Sequence, residues 1–585
     1  MYFCVVMKLN QMRTTFFAFI AVLSTFSLHA QMFNGTDTLY GNEWIDYDKT
    51  YFELKLAEDG VFRVDYDELQ AMGFPLGQTT GASIQMFYMG EEYPLHVTTD
   101  GSLSNSDYLE FLGRKNRGAI DHYLYINGKE GQLNPEYSLF TDTSSYYITF
   151  DNNVEGLRLE DYDQSGITNM TVEKYYIHEE LNVFNNFHFK PQYRGSDHVR
   201  FSYFDIGEGF GTTTSDAFST QLSTDNLNNE VQTFSEMTIR LAGNPNPHDL
   251  EIDFNNNNIV KEEFNGFGVK EYTIQIPNSD VNQNNSIDVK GVHGGNFTDG
   301  YSVAYVKLHY PKTPQIDDGY LEFVLPASTD EKYYEFDILN DDDNFTVIDA
   351  DNSFRFETTV DNGILKFKVA ASDDSRKILV YRESLIQKIN SSSQRNFIDY
   401  TTVNPDFLFL TSKRIFDGSN NVVQNYADYR ATPEGGGYVP YVAIMEDIID
   451  QFSFGIDRHN IANRNFAHYV EKNWSNLEYW YNVGRGLEYQ NVRTEEGFLE
   501  FYNDNHVQTF GSPGSDMVML STNGERVPKF KLGRIAVTNE DELESYFKKI
   551  KLQNDLLSLE QSYEAKGWTK EMIHLSGGSP EIQNV

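Results

Sequence analysis

Cysteine is nearly absent from this sequence: among 585 residues the one cysteine is Cys4. The rest of the chain therefore supplies no disulfide framework, no Cys-zinc site and no thiol nucleophile. Basic charge is scarce as well, with 46 Lys and Arg against 87 Asp and Glu, a formal charge of −41. Binding nucleic acid through its phosphates needs clustered cations, and docking on anionic lipid needs a polybasic patch. The composition favours neither, so no nucleic-acid partner and no direct membrane insertion are expected. Past residue 30 no run is long and apolar enough for a transmembrane helix. No fixed-period repeat stands out. Two hydrolase signatures are missing: there is no Gly-x-Ser-x-Gly elbow, and His178-Glu179 lacks the second His of a metalloprotease motif.

What is abundant is aromatic. Phe, Tyr and Trp make up 15% of the chain, which argues against wholesale disorder. With the Asn, Gly and acidic residues it leans towards extracellular β domains. The first thirty residues fit an export signal. Lys8 and Arg13 precede the apolar Thr15–Leu28, and a cut after Ala30 would leave Gln31 first. Cys4 would leave with the signal, and the mature chain would carry 44 basic against 87 acidic residues, or −43. The expected location is the periplasm, the outer-membrane surface or the medium.

Three regions follow the signal at 1–30. Residues 31–165 read as β-rich: Tyr51–Leu56 and Gly60–Val64 alternate around Glu58-Asp59-Gly60, a hairpin pattern. Asp65–Gly73 reads as one capped helix. Residues 166–395 read as a β-sandwich or jelly-roll, with strands over Thr171–His178, Val199–Phe204 and Tyr301–Tyr310 and Asn/Asp-rich turns between them. From 396 to 585 strands alternate with helices, which indicates an α/β domain with a largely parallel sheet. Its expected strands are near Asp406–Leu410, Tyr438–Met445, Tyr479–Val483, Lys529–Val537 and Met572–Leu575. Its expected helices are Val422–Arg430, Glu446–Phe452, Ile456–Trp474 and Asn539–Lys566. Trp474, Trp480 and Trp568 are expected to fill cores.

Five stretches of this third region carry a resemblance. They are Ala427–Arg430, Glu446–Ile456, Gly511–Asp516, Leu532–Val537 and Leu575–Gly578, joined upstream by Asp59–Val64 and Tyr203–Phe210. In order and spacing the set resembles the gingipain-like cysteine peptidases, and more closely the sortases of the type IX secretion system. The resemblance spans essentially the whole mature chain. It implies a cysteine peptidase that processes secreted proteins at the cell surface, with protein substrates or secretion-system components as partners. In that family a thiolate attacks the scissile carbonyl while a His manages the proton. Those two residues lie in a Gly-His-Gly past the Gly-Gly pair and in a later Cys at a strand end. These 585 residues contain neither, and the third region reads as truncated before them, so no catalytic residue is assigned and no peptidase activity is expected of them. The resemblance places Gly577 and Gly578 at substrate-binding positions and Glu581 at the acidic position lining the specificity pocket, where a solvated acid near the terminus is the simpler reading; Ser576 stands where gingipains carry a helper Glu. His574 does not match the catalytic His. The alternative is a non-catalytic surface or scaffold protein that keeps the fold.

No cofactor is expected. Calcium would suit Asp341–Asp343 with Asp349 and Asp351, where a solvated loop is the simpler reading. Asp161–Gly166 begins like a calcium loop but has Val172 where a bidentate Glu is needed, so it reads as a turn. Gly484-Arg485-Gly486 reads as a strand-end turn at the edge of the active face.

Overall fold

The computed structural model describes residues 32–33, 36–191, 201–231, 234–293, 299–338, 344–358, 360–493, 503–521, 527–559 and 562–572. The expected export signal lies outside the described residues.

The first region is a sandwich. The strands Tyr51–Leu56 and Gly60–Asp65 both form, but they do not make the hairpin their spacing suggests. Tyr51–Leu56 pairs with Ser144–Phe150 and Ser391–Arg395, whereas Gly60–Asp65 pairs with Tyr108–Gly113 and Gln387–Lys388. Gly60, at φ +151°, turns the chain from one sheet into the other. Asp59 is spent on the Arg117 guanidinium, 2.5 Å away, and on the Lys115 N–H. The two sheets close on Phe52, Leu54, Phe62, Val64 and Phe111. Burial on both sides of the corner outweighs the local turn, because separating the sheets would expose this apolar layer. The helix Tyr66–Ala71 is capped as expected, with the Glu68 carboxylate accepting the Asp65 N–H at 2.8 Å.

The second region is two sandwiches sharing one wall. A nine-stranded sheet runs through both. One half, including Phe234–Gly243 and Tyr301–Lys312, packs on a four-stranded sheet through Met237, Ile239, Leu250, Ile252 and Val306. The other half, including Tyr320–Leu325 and Arg376–Arg382, packs on a second four-stranded sheet through Phe323, Phe336, Phe367 and Ile378. The alternating burial of Pro247–Phe254 is the period-two pattern of such a layer. Two strand expectations shift: Thr171–His178 becomes Tyr176–Val183, and in Val199–Phe204 the described part holds only a bridge from Phe204 to Tyr125.

The third region is an α/β layer. Four parallel strands stand in the order Pro440–Ile444, Phe407–Thr411, Tyr479–Val483, Lys531–Ile535. Phe407–Thr411 is buried at every position, as a central parallel strand must be. The helix expected from Ile456 starts only at Asn460, because Gly455 (φ +73°) and Arg458 (φ +59°) hold left-handed backbone and the His459 ring caps the first turn. The helix expected to reach Lys566 stops at Ser558, and a separate turn follows at Tyr563–Lys566. Trp474 and Trp480 are core residues, but Trp568 is 40% exposed and fills no core. Met572 is not in a strand; the remainder of that expected strand lies outside the described residues.

The regions are not beads on a string. One hydrophobic core joins Ile120, Leu124, Phe140, Phe204 and Phe210 of the β body to Ile448, Phe452, Phe466 and Trp480 of the α/β layer.

Candidate functional site

In an open parallel sheet, the loops leaving two neighbouring strands in opposite directions open a crevice beyond their carboxyl ends. Here the central strand Phe407–Thr411 leads to Pro440–Ile444 on one side. Its other neighbour, Tyr479–Val483, leads outward to Lys531–Ile535. The crevice therefore lies between Ser412 and Gly484, and His506 fills it.

The His506 ring is fixed at both nitrogens. Nε2 lies 3.1 Å from the Thr538 carbonyl oxygen, so it carries the proton. Nδ1 then accepts from the Ser412 hydroxyl at 2.7 Å. Burial, and next the Arg414 charge, lower the His506 pKa and keep the ring neutral. Ser412 also caps the helix Lys413–Phe416 through the Ile415 N–H. Gly484 has φ +142°, and a Cβ there would meet the His506 Cβ at 2.6 Å. The close approach of backbone to imidazole thus requires glycine at this turn.

The segment carrying His506 is tied down along its length. Arg414 donates to the Asn503 carbonyl at 2.8 Å, Arg458 donates to that of Asn505, and the His506 N–H donates to the Arg485 carbonyl at 2.9 Å. Arg534 grips the next stretch, pairing in a fork with Asp516 at 2.6 Å on both oxygens and donating to the Gly484 and Val507 carbonyls at 2.8 Å. Beside the crevice, Glu446 accepts the Lys413 N–H at 2.8 Å, and burial raises its pKa. Ser412 and His506 are each 3% exposed. As arranged, the pair is a stopper: its hydrogen bond has the donor geometry of an activated hydroxyl, but no peptide reaches it.

Three polar contacts clamp this layer to the β body. His459 Nε2 donates to the buried Asp121 at 3.0 Å, its Nδ1 being occupied by the Ile461 N–H. Glu208, with no exposed surface, accepts from the Tyr489 hydroxyl and from Lys190, each at 2.5 Å. Arg395 bridges Glu53 at 2.7 Å and Asp450 at 2.6 Å.

Of the residues expected at this face from sequence, Ser412 and Gly484 border the crevice and Val537 lies next to Thr538, the residue His506 bonds. Gly577, Gly578 and Glu581, with His574 and Ser576, lie outside the described residues. Asp163 accepts from Ser165 within a turn, and Asp349 is engaged by Arg376 at 2.8 Å and by Asn352; Asp341–Asp343 lie outside the described residues. His506 was not legible in the sequence: its neighbours Asn505-His506-Val507 form no motif, and only the order of the strands brings it to Ser412.

Fold and face together define an open parallel α/β domain, with a crevice at its switch point, carried on a β body. Residues 397–584 match the model of Peptidase family C25, so this stretch is a gingipain-type domain. Over 89% of this chain the fold is similar to that of dimeric latent PorU from Porphyromonas gingivalis, at 12% identity and a TM-score of 0.54. The chain spans 50% of that solved chain. A CBM36 domain of a multidomain xylanase from the hindgut metagenome of Trinervitermes trinervoides aligns at 13% identity over 23% of this chain and 95% of its own. Its TM-score of 0.15 is too low to support a fold assignment. No curated protein matches.

Proposed function

We propose that these residues are the exported front part of a type IX secretion sortase of the gingipain-like kind, which processes secreted proteins at the cell surface. The observation that carries this reading is the stoppered switch-point crevice inside the stretch that matches Peptidase family C25, fused through one core to a β body. The PorU likeness supports the same arrangement for the whole. In this reading the reacting thiol and imidazole come from sequence other than these 585 residues, whose one cysteine would be lost with the signal. The β sandwiches hold and shape the α/β layer, and protein substrates approach the strand ends. The 503–511 segment over the crevice corresponds to a latent state.

Disrupting the coding sequence in the source bacterium and weighing its surface and secreted proteins by mass spectrometry tests this. Secreted proteins should accumulate at higher, unprocessed masses. Purified residues 31–585 alone should show no peptide cleavage sensitive to thiol reagents. Unchanged masses would instead favour a scaffold that keeps the fold without the reaction.

A further inference from the structure

Arg464 sits in the second turn of the helix Asn460–Asn473 and is 7% exposed. Its guanidinium has no hydrogen-bond or ion-pair partner among the described residues. Nε is enclosed and unsatisfied, and Cζ stands 5.1 Å from the centre of the Phe510 ring. One turn further on, His468 is 9% exposed, and its Nε2 is likewise enclosed without a partner. Three residues after that, Glu471 takes the Lys529 ammonium at 3.2 Å. Burial, then the Arg464 and Lys529 charges, push the His468 pKa down to about 3. His468 is therefore neutral and able to offer an Nε2–H.

A guanidinium 7% exposed with an enclosed Nε and no partner among the described residues is anomalous, because a charge largely withdrawn from water is retained only when it is paired. It is more so in a chain with 87 acidic against 46 basic residues, where a carboxylate partner is the easiest residue to supply. The fork of an arginine matches a carboxylate with two parallel hydrogen bonds. An imidazole one helical turn away lies on the same face. Nothing in the switch-point crevice uses either group.

We propose that Arg464, with His468 beside it, is a binding site for a carboxylate. The guanidinium donates two hydrogen bonds to the carboxylate oxygens, and the His468 Nε2–H donates a further one. Two sources share this chemistry, a free small carboxylate and a carboxylate carried on a peptide.

Calorimetric titration and thermal melting of the purified chain separate them. The probes are sodium acetate, sodium chloride at equal ionic strength, and a short peptide ending in a free carboxylate beside its C-terminal amide. Saturable binding of acetate is expected, with a rise in melting temperature of about 3 °C near saturation that chloride does not reproduce. Arg464→Met should abolish that response, and Arg464→Lys should weaken binding about tenfold, since the ammonium lacks the fork. Peptide acid binding more tightly than acetate, with the amide silent, supports the site and assigns a peptide as its source. Equal affinity for acetate and the peptide acid supports a free carboxylate. Equal responses to acetate and chloride overturn the proposal. So does an Arg464→Met protein that melts above the wild type in every buffer and responds to acetate as the wild type does, because the guanidinium would then be merely hydrated. If Arg464→Met does not fold, an acetate response identical in Arg464→Lys and wild type overturns it.

Discussion

Replacing Glu208 by Gln probes the seam between β body and α/β layer through one proton. Glu208 has no exposed surface, and it accepts from Tyr489, Lys190 and the Asp205 N–H at 2.5, 2.5 and 3.0 Å. Burial outweighs these contacts and lifts its pKa from 4.5 to about 7. Between those values the folded protein keeps a proton that the unfolded chain releases. The stability linked to this proton is fully present below the unfolded pKa and is lost as pH rises through the folded one. A shift of about 2.5 units corresponds to about 3 kcal/mol. Gln keeps the shape and has no proton to lose. The stability of Glu208→Gln relative to wild type should therefore rise by about 3 kcal/mol from about pH 5 to about pH 8, with most of the change below pH 7. Urea unfolding at fixed ionic strength, followed by tryptophan fluorescence across that range, measures the difference while cancelling every other titrating group. A difference flat with pH to within about 0.5 kcal/mol, or one of the opposite slope, would refute the reasoning.

Three further outcomes are expected. Arg395→Met removes the cation that bridges Glu53 and Asp450, leaving Lys55, 3.3 Å from Glu53, as the remaining one. Because burial and Glu53 raise the Asp450 pKa to about 8, the loss should be about 3–5 kcal/mol in alkaline buffer and should shrink as pH falls, read as unfolding midpoints on either side of pH 8. Trp480→Ala empties a fully buried site that packs on Phe466 and Phe530. It should cost about 3–5 kcal/mol, and a melting temperature within a degree of wild type would contradict the shared core. Gly484→Ala drives a Cβ into His506. It should loosen the 503–511 segment, seen as faster proteolytic nicking there, whereas Ser412→Ala should cost only about 1 kcal/mol through the lost cap and hydroxyl.

The sequence by itself determined the elements whose cause is local. Alternation over Tyr51–Leu56 set a strand, although the fold buries both of its faces. The Asp65/Glu68 box set the start of a helix, and the apolar run Phe407–Leu410 announced a strand that the fold buries at every position. The ordered gingipain-like stretches pointed to the family matched by 397–584. Tertiary structure decided whatever depends on distant partners. Tyr51–Leu56 and Gly60–Asp65 are separated by one turn, yet their best apolar partners lie on opposite walls of a sandwich, so the hairpin gave way to a corner. Gln387–Lys388 and Ser391–Arg395 are more than 300 residues from the strands they complete, and no local pattern encodes such pairing. His506 became part of the candidate site because the order of the parallel strands puts Ser412 and Gly484 on either side of it, 94 residues from Ser412 in sequence. A hydrogen bond between residues so far apart is a property of the packing, since the energy that places the ring comes from the whole sheet rather than from the residues beside it.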